Sequence, residues 1–336
     1  MTVEGRLRRV TSADVAREAG VSRTTVSYVL NDTPHQKIPP ATRQRILEAV
    51  QRLGYAPSPA ARALQSGRSD VVLCLLPDWP IGPTVGLLLQ HLSAALAARG
   101  LTLLAHPRGA GTDVGSQVWK VITPAAVIAY EDFEDQEVEA IRAAGIQATV
   151  ALLNRAGSRR EELGIPQQRI GRLQVEHLAA AGHRRIGFAF PDDPRVLGFA
   201  EPRLDGVRHA CADLGLDDPI VQTVPLDAAG AADAVQAWRA EAPAVTAVCA
   251  YNDEVALALL AGLRGLGLRA PADLAVVGVD DIPAAALADP PLTTVVEDQR
   301  VVAENLAQII VSGLTGQRAP RRPSSDSLQV VRRESA

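Results

Sequence analysis

From Asp70 onward the chain repeats one pattern: a short apolar run, then a longer amphipathic stretch rich in Ala, Leu, Arg and Glu. The apolar runs are Val71–Leu76, Leu101–Ala105, Ala125–Ala129, Ile186–Phe190, Val245–Ala250 and Leu274–Val279. Each is strand-sized and largely apolar, as strands covered on both faces by helices are. The pattern predicts α/β architecture with parallel sheets. About 265 residues exceed one comfortable core, which predicts two subdomains with a cleft between them. Ligands of open parallel sheets sit beyond the carboxyl ends of the strands.

The segment before Asp70 reads as short helices. Thr11-Ser-Ala-Asp14 is a helix start, with a hydroxyl to cap free amides and an acid near the positive helix end. Val15, Ala16 and Ala19 form one apolar face, and Gly20 stops the helix by taking left-handed angles cheaply. Ser22 is placed to cap a second helix carrying Val26, Val29 and Leu30. A third is expected from about Ala41 to Leu53, with Ile46, Leu47, Val50 and Leu53 inward and Gly54 at its end. Two helices joined through one Gly and backed by a third spell helix-turn-helix. Residues 57–69 read as a linker. Ser58 and Pro59 form a start signal, and Ala60 to Gln65 can continue as a helix too short to persist alone in water. An ordinary flexible linker is the other reading.

Charge supports the division. The net charge is −4, which by itself suggests no nucleic acid. Residues 1–69, however, carry +6 and the remainder −10, the asymmetry expected of a nucleic-acid-binding module joined to another domain. Aromatic residues are only 3%, so Ala, Val and Leu must fill the core. No apolar run approaches the ~18 residues of a membrane span, and the start, Met1-Thr-Val-Glu-Gly-Arg6, has no apolar signal segment. Cys74, Cys211 and Cys249 are odd in number and unclustered. Together these features predict a cytoplasmic protein with reduced thiols.

In the second helix, Arg23 and Thr24 occupy the first turn, placed to reach base edges in a major groove that admits one helix. Arg can donate two bonds to guanine. Ser22, Thr25, Ser27 and Asn31 are short polar groups suited to phosphate oxygens, which fix register without reading sequence. His35 and Lys37, in the loop 32–40, are open to two readings, backbone contact or simple solvation.

The run Val10-Thr-Ser-Ala-Asp-Val-Ala-Arg-Glu-Ala-Gly-Val-Ser-Arg-Thr-Thr-Val-Ser-Tyr-Val-Leu-Asn31 closely resembles the DNA-binding head of the LacI/GalR family of transcription regulators. The resemblance continues through Thr42-Arg43, Leu53-Gly-Tyr-Ala-Pro57 and Ala61-Arg-Ala-Leu64. It resumes at His177-Leu178, Gly182-His-Arg-Arg-Ile186, Arg203-Leu-Asp-Gly206, Asn252-Asp253, Gly278-Val-Asp-Asp281, Leu292-Thr-Thr-Val295 and Arg333-Glu-Ser335. It implies a helix-turn-helix head at 1–56, a hinge at 57–69 and a periplasmic-binding-protein-like body at 70–336, crossed by the chain near 163–172, 292–299 and 320–328. Thr11, Tyr55 and Ala61 fall among the DNA contacts it implies, and Leu64 matches a hinge leucine that wedges into the minor groove. Tyr28 stands where many relatives carry Arg and cannot make the bidentate guanine contact, so a different base preference is expected.

In the body, the resemblance implies effector contacts at Arg203, Asn252 and Asp280, and at Asp78 and Trp79 after the first strand. A Trp face can stack on a sugar ring while polar groups fix its hydroxyls. Relatives carry Asp near the start of the helix leading to His177; here Arg169 aligns with it. An Arg cannot accept hydroxyl protons and favours phosphate or carboxylate, or fills the site itself. The expected effector is therefore a sugar or an anionic metabolite.

The resulting expectation is a homodimeric regulator, by family default a repressor, that binds double-stranded DNA at a near-palindromic operator and releases or grips it under effector control. The end of the chain shows no leucine heptads, which predicts dimers rather than tail-assembled tetramers. One alternative keeps DNA binding but reduces the body to a dimer frame or protein-partner site. Another is a nucleotide-cofactor enzyme: Gly109-Ala-Gly-Thr-Asp-Val-Gly115 resembles a dinucleotide turn, with Glu131 and Asp132 at a loosely suitable distance. A small-molecule carrier would need export and no basic head. No recognised nucleophile motif or His spacing points to catalysis or metal, and no cofactor is expected.

Overall fold

The computed structural model describes residues 10–30, 36–55, 69–79, 81–108, 118–130, 133–146, 148–151, 167–317 and 327–336. The chain divides into two compact units, Met1–Asp70 and Val71–Ala336.

In the first unit, α1 spans Ser12–Ala19, α2 Arg23–Leu30 and α3 Pro40–Leu53. The Asp14 carboxylate accepts both the Thr11 amide (3.0 Å) and the Thr11 hydroxyl (2.7 Å), satisfying donors that the helix start leaves over. Gly20 and Gly54 close α1 and α3 at φ 63° and 59°. Val15, Ala16, Ala19, Val26, Val29, Ile46 and Ala49 form the core, and Arg52 bridges from α3 to Glu18 of α1 at 2.6 Å. Leu47, expected inward, is 41% exposed. The buried stripe of α3 runs through Ile46 and Ala49, and Leu47 falls just past its edge.

The second unit holds two sheets. The first has order β2-β1-β3-β4, from β1 Val71–Leu76, β2 Thr102–Pro107, β3 Ala126–Ala129 and β4 Ala148–Ala151, all parallel. The second has order β10-β9-β8-β7-β5-β6, from β5 Ile186–Pro191, β6 Ile220–Val224, β7 Ala247–Ala250, β8 Ala275–Val279, β9 Thr293–Glu297 and β10 Leu328–Val331. It is parallel except for the β9–β10 pair. The helices are α4 Pro83–Ala97, α5 Val118–Ile122, α6 Asp135–Ala143, α7 Gln167–Ala180, α8 Leu197–Asp213, α9 Ala228–Ala240, α10 Asp253–Gly265 and α11 Gln299–Thr315.

The chain changes subdomain three times. β4 belongs to the first sheet and α7 packs on the second; residues 152–166 between them lie outside the described residues, and of the expected span 163–172 the part from 167 on lies in α7. After β9, α11 returns to the first subdomain: Ala303, Leu306, Ala307 and Ile310 pack with Leu88, Leu92 and Leu96 of α4. The third passage lies between Thr315 and Leu328, where β10 rejoins the second sheet. The carboxyl terminus is fastened to that sheet by Ser335, whose hydroxyl donates to the Val276 carbonyl (2.6 Å) and accepts from the Thr293 amide (2.8 Å).

Two helices of the second subdomain approach unusually closely. A Cβ on Gly171 of α7 would collide with the Arg203 carbonyl, and one on Gly206 of α8 with the Gln168 carbonyl. These glycines let backbone meet backbone and bring the start of α7 alongside Arg203. Gly206→Ala should destabilise the body by about 1–3 kcal/mol, the usual cost of overpacking, as a lowered urea midpoint with an unchanged slope.

Candidate functional site

On α2 the exposed first turn presents Arg23 and Thr24, with Ser27 and Tyr28 partly exposed beyond them. Ser22 caps the helix: its Oγ accepts the Thr25 amide at 3.0 Å and lies 2.8 Å from Thr25 Oγ1. Both hydroxyls are thus partly engaged locally, as is Thr11 through Asp14. Tyr55 packs against the head core. Asn31, His35, Ala61 and Leu64 lie outside the described residues. So do the loop 109–117 and Glu131 and Asp132, on which the cofactor reading rested.

In the body a cleft of about 370 Å³ opens at the carboxyl ends of both sheets. Trp79 and Tyr130 line it beyond β1 and β3, Pro191 at the end of β5, and Tyr251, Asn252 and Asp280 beyond β7 and β8. Trp79 makes edge-on contacts with Tyr130 and Phe199, at centroid separations of 5.7 and 5.2 Å.

At the floor sits Arg203, 4% exposed. Its Nε donates to Gln167 Oε1 at 3.0 Å, its Nη1 donates to the Tyr251 carbonyl, and its guanidinium lies 4.9 Å above the Tyr251 ring. A buried guanidinium requires such partners, because an uncompensated charge costs several kcal/mol. Asn252 lines the cleft and caps α10, its Oδ1 accepting the Val255 amide at 2.9 Å. Asp280 adopts φ 109° and Asp281 φ 53°, both in the left-handed region. The pair divides its work. Asp280 faces the cleft, its amide bonded to the Val295 carbonyl at 2.8 Å; Asp281 pairs with Arg333 at 2.6 Å. Burial pushes the Asp280 carboxyl up to about 6; Arg203 opposes this, while Glu254 and Glu297 add to it.

Two expected contacts are not brought into the cleft. Asp78 is exposed and absent from the lining; its backbone carbonyl accepts from Arg195 at 3.1 Å. Arg169 is exposed and pairs with Glu176 at 3.4 Å. Gln167 lies in the cleft instead, since residues two apart on a helix occupy nearly opposite faces. Arg169 therefore adds no positive charge to the cleft lining. Tyr130, Phe199, Tyr251 and Glu297 also line the cleft and were missed. Their only sequence signal is position, just after a strand or at the end of one, or within a helix beginning after β5.

Asp253, beside Asn252, is fully buried. Its Oδ1 accepts the Thr294 hydroxyl at 2.6 Å and its Oδ2 the Ile282 amide at 2.8 Å. A Cβ on Gly278 would collide with it. The carboxylate thus ties the start of α10 to β9 and to the loop carrying Asp280. Burial dominates and raises its pKa to about 7. Among the described residues no His/Cys/Asp/Glu group suits a metal ion, and no helix is long and apolar enough to cross a membrane.

Comparison with known proteins bears on both units. Residues 11–58 match the family profile "Bacterial regulatory proteins, lacI family", and residues 175–336 a periplasmic binding protein-like domain. The chain is 30% identical to the transcriptional regulator CelR of Thermobifida fusca over 93% of this chain and 94% of that one. It is 27% identical to the transcriptional repressor PurR of Vibrio vulnificus, with coverage of 93% and 94%. Among solved structures, the Lac repressor dimer bound to operator and an anti-inducer superposes with a TM-score of 0.77 at 23% identity, covering 98% of this chain and 99% of that one. A CelR–cellobiose complex superposes with 0.66 at 27% identity, covering 98% and 100%.

The raised Asp253 carboxyl sets a pH dependence. Above its unfolded pKa near 4 the native state holds a proton that the unfolded chain has released, so stability falls as pH rises, and the loss is complete once pH passes about 7. Relative to Asp253→Asn, which lacks the titration, the natural protein should lose about 2–4 kcal/mol between roughly pH 4 and 7. Parallel urea titrations of both proteins measure the difference.

Proposed function

The chain belongs to the LacI family of bacterial regulatory proteins, and we propose that it binds an inverted-repeat operator as a homodimer and represses transcription under the control of a polyhydroxylated small molecule held in the body cleft. It is a DNA-binding transcription regulator, not an enzyme. The observation that carries the effector reading is the cleft at the strand ends, where Arg203, Gln167, Asn252 and Asp280 converge beneath the aromatic trio of Trp79, Tyr130 and Phe199. Flat aromatic faces and fixed polar groups suit a sugar ring. A solved structure of a relative is a CelR–cellobiose complex, and a neutral disaccharide is compatible with this floor. A body kept only as a dimer frame would have no use for a buried arginine or a strained aspartate at a cleft.

On the DNA side, α2 offers Arg23 and Thr24 to base edges, and its amino end favours phosphate. Ser27, Tyr28 and Tyr55 are assigned flanking contacts. Thr11, Ser22 and Thr25 hold the helix starts and meet phosphates with what hydrogen-bonding capacity remains. Asn31, His35, Ala61 and Leu64 keep the loop and hinge roles that the family pattern gives them, within proposed segments 1–56, 57–69 and 70–336. Control follows from linkage. An effector that prefers one subdomain angle shifts DNA affinity only by its differential binding to the two states, typically ~1–3 kcal/mol.

The test is selection of binding sites from random duplexes, followed by anisotropy titration with and without cellobiose and related sugars. No preference for any inverted repeat over competitor DNA overturns the proposal. Arg23→Ala should weaken the selected operator about 10–100-fold while leaving non-specific binding nearly unchanged. Arg203→Lys keeps the charge but loses the planar fork; calorimetry should show effector affinity falling about 10–100-fold, the loss of one or two charge-assisted bonds.

A further inference from the structure

Besides the passages of the chain, side chains from one short stretch of the second subdomain touch the first across the cleft. The stretch is the 3₁₀ turn Pro194–Val196, which runs directly into α8. Asp193 holds the Arg195 guanidinium in place, its carboxylate accepting Nε at 2.9 Å and Nη2 at 2.8 Å. That leaves Nη1 to reach out, and it donates to the Asp78 carbonyl of the first subdomain at 3.1 Å. The Asp78 carboxylate adds attraction to the same guanidinium. One turn on, Phe199 packs against the hydrophobic cores of both subdomains and meets Trp79 edge-on. One further turn on, Arg203 forms the floor. Spacing by four places these three side chains close to one helical face, so a single face runs from the Asp78 contact to the effector floor. Pro202 lies inside α8 and has no amide to donate to the Gly198 carbonyl. The turn that carries Phe199 is therefore held to the turn that carries Arg203 by fewer backbone bonds than an unbroken helix supplies.

Arg195 lies outside the cleft lining, so its bond to Asp78 joins subdomain to subdomain and contacts no ligand. We propose that Arg195 and Phe199 are positioning residues that latch the cleft shut, and that the strength of this latch sets how much of the protein is closed before any effector arrives. This rests on the reading of the cleft as the effector site. An effector that bridges Arg203 and Trp79 selects the closed form, and its apparent affinity scales with the closed fraction. The same fraction sets the operator affinity in the absence of effector.

The test needs no effector. Trp119 and Trp238 are 2% and 0% exposed, so acrylamide quenching of the full-length protein reports on Trp79. Arg195→Ala should raise the quenching constant and red-shift the emission at an unchanged urea midpoint. Asp193→Ala, which releases the fork, should do the same. Arg195→Ala should also move the effector-free affinity for the selected operator about 3–10-fold, the scale of one charge-assisted bond, and Phe199→Leu should move it in the same direction. Arg208→Ala removes a cation of like exposure from α8 (48% against 47%) and should change neither readout. Quenching unchanged in both Arg195→Ala and Asp193→Ala overturns the latch, whatever the cleft binds. Greater quenching with operator affinity unmoved, or moved in opposite directions by Arg195→Ala and Phe199→Leu, overturns its control of the switch. Both shifts present with every sugar silent supports the latch and overturns only the sugar reading.

Discussion

The buried guanidinium of Arg203 fixes the floor of the cleft, and much of the second subdomain is arranged to keep it there. Its fork joins the start of α7, through Gln167, to the end of β7, through the Tyr251 carbonyl. That junction requires α7 and α8 to lie closer than ordinary side chains allow, and Gly171 and Gly206 remove the obstacle. The interaction works by cost as much as by attraction. Once the charge is out of water, any displacement that strips it of partners is opposed by several kcal/mol. A ligand therefore meets a site already set in geometry, so less of its binding free energy is lost to ordering side chains.

On the far side of the floor, Asp253 plays the matching part with the opposite charge. It ties α10 to Thr294 of β9 and to the Ile282 amide, and so holds the loop in which Asp280 and Asp281 take left-handed angles. Such residues cost about 1–3 kcal/mol each. The offset comes from named bonds: Arg333 to Asp281 and to the Leu292 carbonyl (2.7 Å), and Ser335 to strands β8 and β9. The carboxyl-terminal Arg333-Glu-Ser335 motif thereby acquires a physical reason. It braces the segment that aims Asp280.

What the sequence made legible follows from local physics. Thr11, Asp14 and Gly20 mark α1 because capping and left-handed termination are decided within a few residues. The six largely apolar runs became β1, β2, β3, β5, β7 and β8. Four strands were missed, β4, β6, β9 and β10, and in two of them polar residues interrupt the pattern. β6 sits at a sheet edge with Gln222 and Thr223 in it, and β9 opens with two threonines that its neighbours satisfy. The cleft was read less well, for a reason of geometry. Family resemblance located the right turn of α7 but placed Arg169 in the site; the helix turns Gln167 inward and Arg169 toward Glu176. Asp78 was misplaced similarly, because the residue after a strand end can present its carbonyl rather than its side chain to its neighbours.

The opposed charges of the two units then have a common explanation. Affinity for DNA phosphates is non-specific and salt-dependent, and it scales with the cations a surface offers. Residues 1–69 hold +6 and the rest −10, so attraction to the duplex is confined to the unit that carries the reading helix. The body, repelled by phosphate, adds no sequence-blind grip of its own. This matters for a switch: any affinity the body contributed equally in both effector states would tighten binding to any sequence without adding to the few kcal/mol by which the states differ. A single bias in composition thus leaves the attraction for DNA phosphates to the first unit.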